Sequence, residues 1–553
     1  MKRYASLITN KSFILGISIG IGLCLGMYLS QEKLKKPVYK FNKALNYIEK
    51  YYVDKIGDAD LEELTEVALA KLAKQLDPHT KYIGAKQSAI NHAHLEGNFE
   101  GIGIEFALID DTIYVLNPVP NGPAHQAGIQ PGDKIIKIDD EDWLRKDLNH
   151  DKVIERIRGP KNSKLKLAIK RDNQKELLEI TVVRGEIPTQ AIKASYIITD
   201  KIGYVKLSHF GANTHEELMQ KVTQLRDQGM QKLLLDLRNN SGGYLTPALH
   251  IAEEMLAPGK LILYTKGRYK DFNKEYYANG KNSLKRVPII ILLNEHSASA
   301  SELLAGALQD HDRALIVGRR SFGKGLVQWP IEFKDKSVLN LTIERYFTPS
   351  GRLIQKPYDK RADYHYDLLT RYHNGEYFSA DSIKFDPSSK YTTDAGRTVY
   401  GGGGIMPDVF IPLDITASSS YVNDLVDNYI IEQCAIQYTL THKETLTGMT
   451  LEDYAKNFQV SKAMLMQVIE LGRKLNVGQI SITNEIEKSI KNLIKAHIAK
   501  LVWQEHGFYR MYNITDTTIS KSLQLFNQAE TLLKEDMDYI AERARKNVRV
   551  VLK

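Results

Sequence analysis

The stretch from Pro288 to Gln328 constrains the fold more than any other, because it reads as strand, turn, helix and strand with chemistry at both turns. Pro288-Ile-Ile-Ile-Leu-Leu-Asn294 is a continuous apolar run, long enough for one buried strand and too short for a helix. Ser299-Ala-Ser-Glu302 has the Ser-x-x-Glu spacing of a capping box, and Leu303, Leu304, Ala307 and Leu308 carry a helix onward. Ala314-Leu-Ile-Val317 is a second short buried strand. The glycine-flanked turn Gly318 to Gly325 follows, then a strand through Leu326-Val-Gln328-Trp329. The succession is that of an α/β fold.

A serine at a helix start ordinarily caps the helix by accepting a bond from a free amide. The same geometry suits a nucleophile. Ser299 would sit on a turn at the strand's C-terminal edge, with helix amides behind it to hold an oxyanion. A nucleophile needs a base, and Lys324 lies 25 residues on, in a turn where glycines let the backbone pass close to other groups. A lysine acts as a base only when neutral, so burial has to lower its pKa from about 10.4. If the segment after this lysine is a strand, Lys324 and Gln328 share a face and Gln328 is placed to orient the amine. Two rivals fare worse. Gly318-x-x-x-x-Gly323-Lys324 falls short of a phosphate loop, since Gly325 has no hydroxyl for magnesium and a strand follows. A Ser-His-Asp triad would have to draw on His209, His250, His296 or His311, and no Gly-x-Ser-x-Gly elbow is present.

Ser297-Ala-Ser-Ala-Ser-Glu302, Leu308-Gln-Asp310 and Phe322-Gly-Lys-Gly-Leu-Val-Gln328 closely resemble the carboxy-terminal processing peptidases, serine proteases with a Ser-Lys dyad and a PDZ domain. The resemblance implies Ser299 as nucleophile, Lys324 as general base, Gln328 as the glutamine supporting the lysine, and Asp310 as a supporting aspartate. It also implies an oxyanion hole from the amide of Ala300 and that of Gly242 or Gly243, in the turn Arg238-Asn-Asn-Ser-Gly-Gly243. Gly101-Ile102-Gly103-Ile104-Glu-Phe106 resembles the carboxylate-binding loop and second strand of a PDZ domain. Loop amides freed by glycine suit a peptide's terminal carboxylate, and a strand edge accepts the extended peptide. Ala124 to Asp133, Ile135 to Ile138 and Val153 to Arg158 continue that resemblance as helix, strand and groove-flanking helix.

At 553 residues the chain exceeds one core, and roughly three or four domains are expected. The expected order is a signal or anchor (1–36), an N-terminal helical segment (37–96), a PDZ domain (97–185), a peptidase core (186–415) and a helical domain (416–553). The core carries a Tyr- and Asp-rich insertion at about 356–400, read as a surface excursion near the active site with its tyrosines packing. Tyr421 to Leu440, Leu451 to Lys474, Thr483 to His506 and Ser520 to Ala544 give the tail four helices, with Thr483 capping the third. Such a tail suits packing, substrate capture or the contacts of a homo-oligomer.

The net charge of +8 is spread along the chain, with no aromatic-basic interleaving for nucleic acid and no zinc-type spacing. His215-Glu-Glu-Leu-Met219 lacks the second histidine of a metalloprotease helix. Phe13 to Leu29 is an uncharged apolar run after Lys2, Arg3 and Lys11, read as a membrane anchor in preference to a cleaved signal. The expected protein is therefore an exported, membrane-anchored serine endopeptidase that recognises protein C-termini through its PDZ domain and needs no metal or cofactor. The alternative is a catalytically idle PDZ scaffold that only binds peptides.

Overall fold

The computed structural model describes residues 36–537, except 110, 145–147, 172–173, 281–282, 360, 415–419 and 479–481. The expected anchor at 13–29 lies outside them. Among the described residues no helix is long and apolar enough to cross a membrane. The chain divides into two compact units, Met1–Leu76 and Asp77–Lys553. The first contributes helices Lys36–Tyr51 and Asp58–Lys74. Pro37 falls in the first turn of the former, where a missing N–H costs nothing.

In the second unit, six strands form the central sheet of the peptidase region. Their order is Ile192–Thr199, Ile202–Leu207, Lys232–Asp236, Ile289–Leu293, Leu315–Gly318 and Val409–Phe410. The first pair is antiparallel and all later pairs are parallel. Every residue of Ile289–Leu293 is buried, as its unbroken apolar run demands of a parallel strand covered on both faces. Helices Thr214–Asp227, Leu245–Met255 and Ala300–Asp310 contribute to the largest apolar core, with Leu304, Ala305, Ala307 and Leu308 of the last wholly inaccessible.

A second, antiparallel sheet frames the other side of the site. Val338–Phe347 is flanked on one edge by Leu326–Glu332 and on the other by Lys81–Ile83 and Leu261–Gly267. Residues 81–83, expected within a helical segment, are thus a strand of the peptidase sheet. The turn at Asp77-Pro-His-Thr80 breaks the preceding helix. There Asp77 accepts the amides of His79 and Thr80, each at 2.7 Å.

The PDZ region is a five-strand antiparallel path, Ile104–Ile109, Thr112–Pro118, Lys134–Ile138, Lys164–Lys170 and Leu178–Val183, with helix His150–Ile157 beside it. Asn149 caps that helix by accepting the Lys152 amide at 2.9 Å. Entry strand Asn98–Gly101 pairs with exit strand Gly185–Pro188, so the chain leaves the domain beside the point where it enters.

The tail is helical but more broken than its apolar spacing predicts. The first expected helix is interrupted at Tyr429, whose φ of +57° no α-helix accommodates. The second splits into Leu451–Asn457 and Lys462–Lys474, because Ser461 starts a new helix by capping Met464. The third, Asn484–Tyr512, kinks at Trp503 and Gln504. Thr483 caps it as expected, and Ile486, Ile490 and Ile494 are buried.

Candidate active site

Strand Ile289–Leu293 delivers the chain to a turn that Ser297 builds: its hydroxyl donates to the Leu237 carbonyl at 2.9 Å and accepts the Asn294 amide at 3.0 Å. Ser299 follows at φ +56° and ψ −113°, a conformation that costs a side-chain-bearing residue about 1–3 kcal/mol. Its hydroxyl does not cap the helix behind it. The strained strand–turn–helix geometry is that of a nucleophile elbow, reached here without the Gly-x-Ser-x-Gly pattern. Neighbouring glycines make room for it. A Cβ on Gly242 would stand 2.8 Å from the Ser299 Cβ, and one on Gly243 2.2 Å from the Phe210 carbonyl oxygen.

The two candidate oxyanion glycines differ in what their amides already do. Gly242 donates to the Asn240 side chain at 2.9 Å. Gly243 forms a parallel bridge with Phe210 whose bonds run from Phe210 to the Gly242 carbonyl and from Tyr244 to the Phe210 carbonyl. The Gly243 N–H is therefore turned away from the bridge, and it donates to no described residue. Gly243, Ser299, Ala300, Lys324 and Gln328 all line one cavity of about 420 Å³.

Lys324 reaches this cavity through Glu302. The buried Glu302 carboxylate accepts four bonds: the Ser299 and Lys324 amides at 2.8 Å each, the Gly323 amide at 2.6 Å, and the Ser321 hydroxyl. Burial raises the Glu302 pKa, and the four bonds work against that rise. From the other side the Tyr346 hydroxyl is shared between the Ser299 and Lys324 carbonyls, at 3.0 and 2.8 Å. Lys324 has no carboxylate ion-pair partner among the described residues. Burial first, and the Lys81 cation second, press its pKa below the ordinary lysine value, while Glu302 and Asp77 pull the other way. His79 contributes no charge at neutral pH, since burial and the Lys324 charge lower it to about 3.

Gln328 sits differently from expectation. The strand starts at Leu326, two residues after Lys324, and its register shifts between Val327 and Gln328. Lys324 thus precedes the strand that carries Gln328, and the two residues line the same cavity. Gln328 instead donates to Thr342 at 3.2 Å, and Thr342 to Asp77 at 3.2 Å. Asp310 stands at the far end of the helix from Ser299 and outside the cavity lining. It pairs with the wholly buried Arg352 at 2.6 Å and accepts the Ser350 amide at 3.0 Å. Its support is indirect, holding the segment whose Gln355 accepts the Gly325 amide at 2.9 Å.

The 356–400 insertion packs more closely than a surface excursion. Tyr364, from helix Arg361–His373, is buried and stacks edge-on with both Phe322 and His79. Glu376 pairs with both Arg320 and Arg371. Tyr377 is buried as well, whereas Tyr366 and Tyr372 are exposed.

A second cavity, of about 370 Å³, is lined by Gly101, Ile102, Gly103 and Ile104, together with Ile154 and Ile157 of the facing helix. The Gly103 amide donates to no described residue. This is the arrangement a peptide's terminal carboxylate requires. Reading the sequence missed Glu302 as more than a cap, and Asn240 and Tyr346 altogether. Only Glu302 carried a signal, its capping-box spacing.

Comparison with known proteins accords with this arrangement. The model for Peptidase family S41 matches residues 201–363, that for the PDZ domain residues 101–182, and that for a family of unknown function (DUF8443) residues 421–504. A carboxy-terminal-processing protease of Bartonella bacilliformis is 34% identical over 330 residues, spanning 59% of this chain and 74% of that protein. The carboxy-terminal processing protease CtpB of Bacillus subtilis is 33% identical over 324 residues, 58% of this chain and 66% of that one. Among solved structures, a photosystem II D1 C-terminal processing protease aligns at 24% identity and TM-score 0.34, over 68% of this chain and 94% of its own. The peptidase and PDZ matches fall on the two regions that carry these cavities, and the chain belongs to the carboxy-terminal processing proteases, serine peptidases of family S41.

Proposed function

We propose that this protein cleaves polypeptides delivered by their C-terminal ends, through an acyl-enzyme formed by Ser299 with Lys324 as base. One observation carries the reading: a serine in elbow conformation and a lysine free of carboxylate partners among the described residues line the same cavity. The Ser299 hydroxyl attacks the scissile carbonyl as the neutral Lys324 amine takes its proton. The amides of Ala300 and Gly243 receive the developing oxyanion. Collapse expels the amine product, which takes the proton back from Lys324. A water then attacks the acyl group, giving its proton to Lys324, and collapse breaks the ester bond, so that the Ser299 oxygen leaves with the proton from Lys324 and the product carboxylate is released. Gln328, through Thr342 and Asp77, fixes the wall beside the lysine. The Gly101–Ile104 loop binds the substrate's terminal carboxylate. The apolar run at 13–29 supports an exported, membrane-anchored enzyme acting on exported proteins.

The test is hydrolysis of an unstructured polypeptide, with product termini read by mass spectrometry. Wild type yields fragments and Ser299→Ala yields none while keeping its circular dichroism spectrum. Equal cleavage by Ser299→Ala overturns the assignment. Absence of cleavage by wild type, with unimpaired peptide binding, favours the idle scaffold.

A further inference from the structure

The PDZ groove has a wall that does not come from the PDZ domain. Its cavity is lined on one side by the strand residues Ile104, Glu105 and Phe106 and on another by helix residues Ile154 and Ile157. Tyr429, Glu432 and Lys500 of the C-terminal helical region line it as well. The contact is a packed one. Ala107 and Leu116 of the PDZ strands form a buried apolar cluster with Ile436, joined by Leu440 and Leu501. A Cβ on Gly132 would lie 2.4 Å from Leu440 Cδ2, so the two regions meet at full packing density. His150, the first residue of the groove helix, is stacked between Phe106 and Tyr429, at ring-centroid distances of 5.4 and 5.5 Å.

The groove carries charge of both signs. At the loop end, Arg158 lines the cavity with no carboxylate ion-pair partner among the described residues. Along the strand side stands Glu105, next after Ile104, and the helical region adds Glu432. Lys500 lies between them but is paired with Glu505 at 3.2 Å. Neither Glu105 nor Glu432 has an ion-pair partner of its own among the described residues, and burial raises the pKa of both. A groove with a cation beside its loop and two carboxylates lining its walls matches a peptide with a terminal carboxylate and a basic side chain shortly before it.

We propose that the C-terminal helical domain completes the peptide groove and that the composite groove selects protein C-termini bearing lysine or arginine one or three residues before the last. The positions follow from strand alternation. A peptide paired with Ile104–Ile109 puts its last residue and every second one before it on the face of Ile104 and Phe106. The intervening residues face the side of Glu105, where Glu432 stands opposite. The inference rests on the reading of Gly101–Ile104 as a carboxylate-binding loop.

The experiment is fluorescence anisotropy on full-length Ser299→Ala protein with three labelled decapeptides. One carries lysine at both positions, one glutamate at both, and the third is the lysine peptide with an amidated terminus. The lysine peptide is expected to bind about tenfold tighter than the glutamate peptide, and amidation to cost about tenfold or more. In the Glu432→Lys background the preference reverses, and retained binding of the glutamate peptide shows that the variant is folded. Equal binding of the lysine and glutamate peptides, with amidation still costly, overturns the selecting wall and leaves the carboxylate loop standing. Indifference to amidation overturns the loop reading itself. A Glu432→Lys protein with unchanged preference removes Glu432 from the site.

Discussion

The backbone amides of Ser299 and Lys324 donate to the same atom, Oε2 of Glu302, at 2.8 Å each. Two residues 25 apart in the chain are thereby held by one carboxylate, whose other oxygen takes Gly323 and Ser321. The relative placement of Ser299 and Lys324 depends on an acceptor-only group at position 302.

Glu302→Gln places an amide NH₂ against N–H groups on one side of that carboxylate, whichever way it is turned. Each unsatisfied buried donor costs about 1–3 kcal/mol, and the turn carrying Lys324 shifts to escape the clash. A displacement of about 1 Å suffices for a loss near hundredfold. Steady-state hydrolysis should show kcat down by about that factor with KM little changed, in a protein whose melting temperature falls by several degrees.

Tyr346→Phe removes the one hydroxyl shared by the Ser299 and Lys324 carbonyls. The expected stability loss is about 0.5–1.5 kcal/mol, the net worth of a single hydrogen bond. Chemical denaturation should show the midpoint falling with an unchanged slope, alongside a reduced kcat.

Asn240 is wholly buried and links the glycine turn to the elbow. Its side chain accepts the Gly242 amide at 2.9 Å and donates to Leu207 at 3.1 Å, and its carbonyl accepts Ala298 at 3.0 Å. Asn240→Ala leaves the Gly242 amide and the Leu207 carbonyl without their partner and loosens the loop that presents Gly243. A fall in kcat larger than the rise in KM is expected, because the oxyanion hole acts chiefly in the transition state.

Catalysis by a neutral amine gives activity that rises with pH through the Lys324 pKa, and burial sets that pKa below the ordinary lysine value. The Lys81 cation disfavours a second positive charge at Lys324, so removing it raises the Lys324 pKa. The pH–rate profile of Lys81→Met should therefore move to higher pH. His79, lowered to about 3, adds no inflection near neutrality.

Much of this site is readable in the chain, and the reasons are local. The apolar run ending at Asn294 and the Ser-x-x-Glu spacing at 299–302 each depend on neighbours a few residues away, so the buried strand and the helix start were legible. The choice between Gly242 and Gly243 was not, because it depends on a bridge to Phe210 more than thirty residues earlier. Tyr346 carries no pattern at all, and its role exists only once strand Val338–Phe347 lies beside the turn at Lys324. The bond from Gln328 to Thr342 was not legible either, because its partner lies on the neighbouring strand. In the tail, the positive φ of Tyr429 broke a helix that apolar spacing alone made continuous.

The most direct test of the account is the rate at which a fluorophosphonate labels Ser299 as a function of pH, in wild type and in Lys324→Ala. The wild-type rate is expected to climb to a plateau below the pH at which an ordinary lysine deprotonates, and Lys324→Ala to be labelled about a hundredfold more slowly at that plateau. Equal labelling of the two proteins, or a wild-type rate independent of pH, would contradict a lysine base.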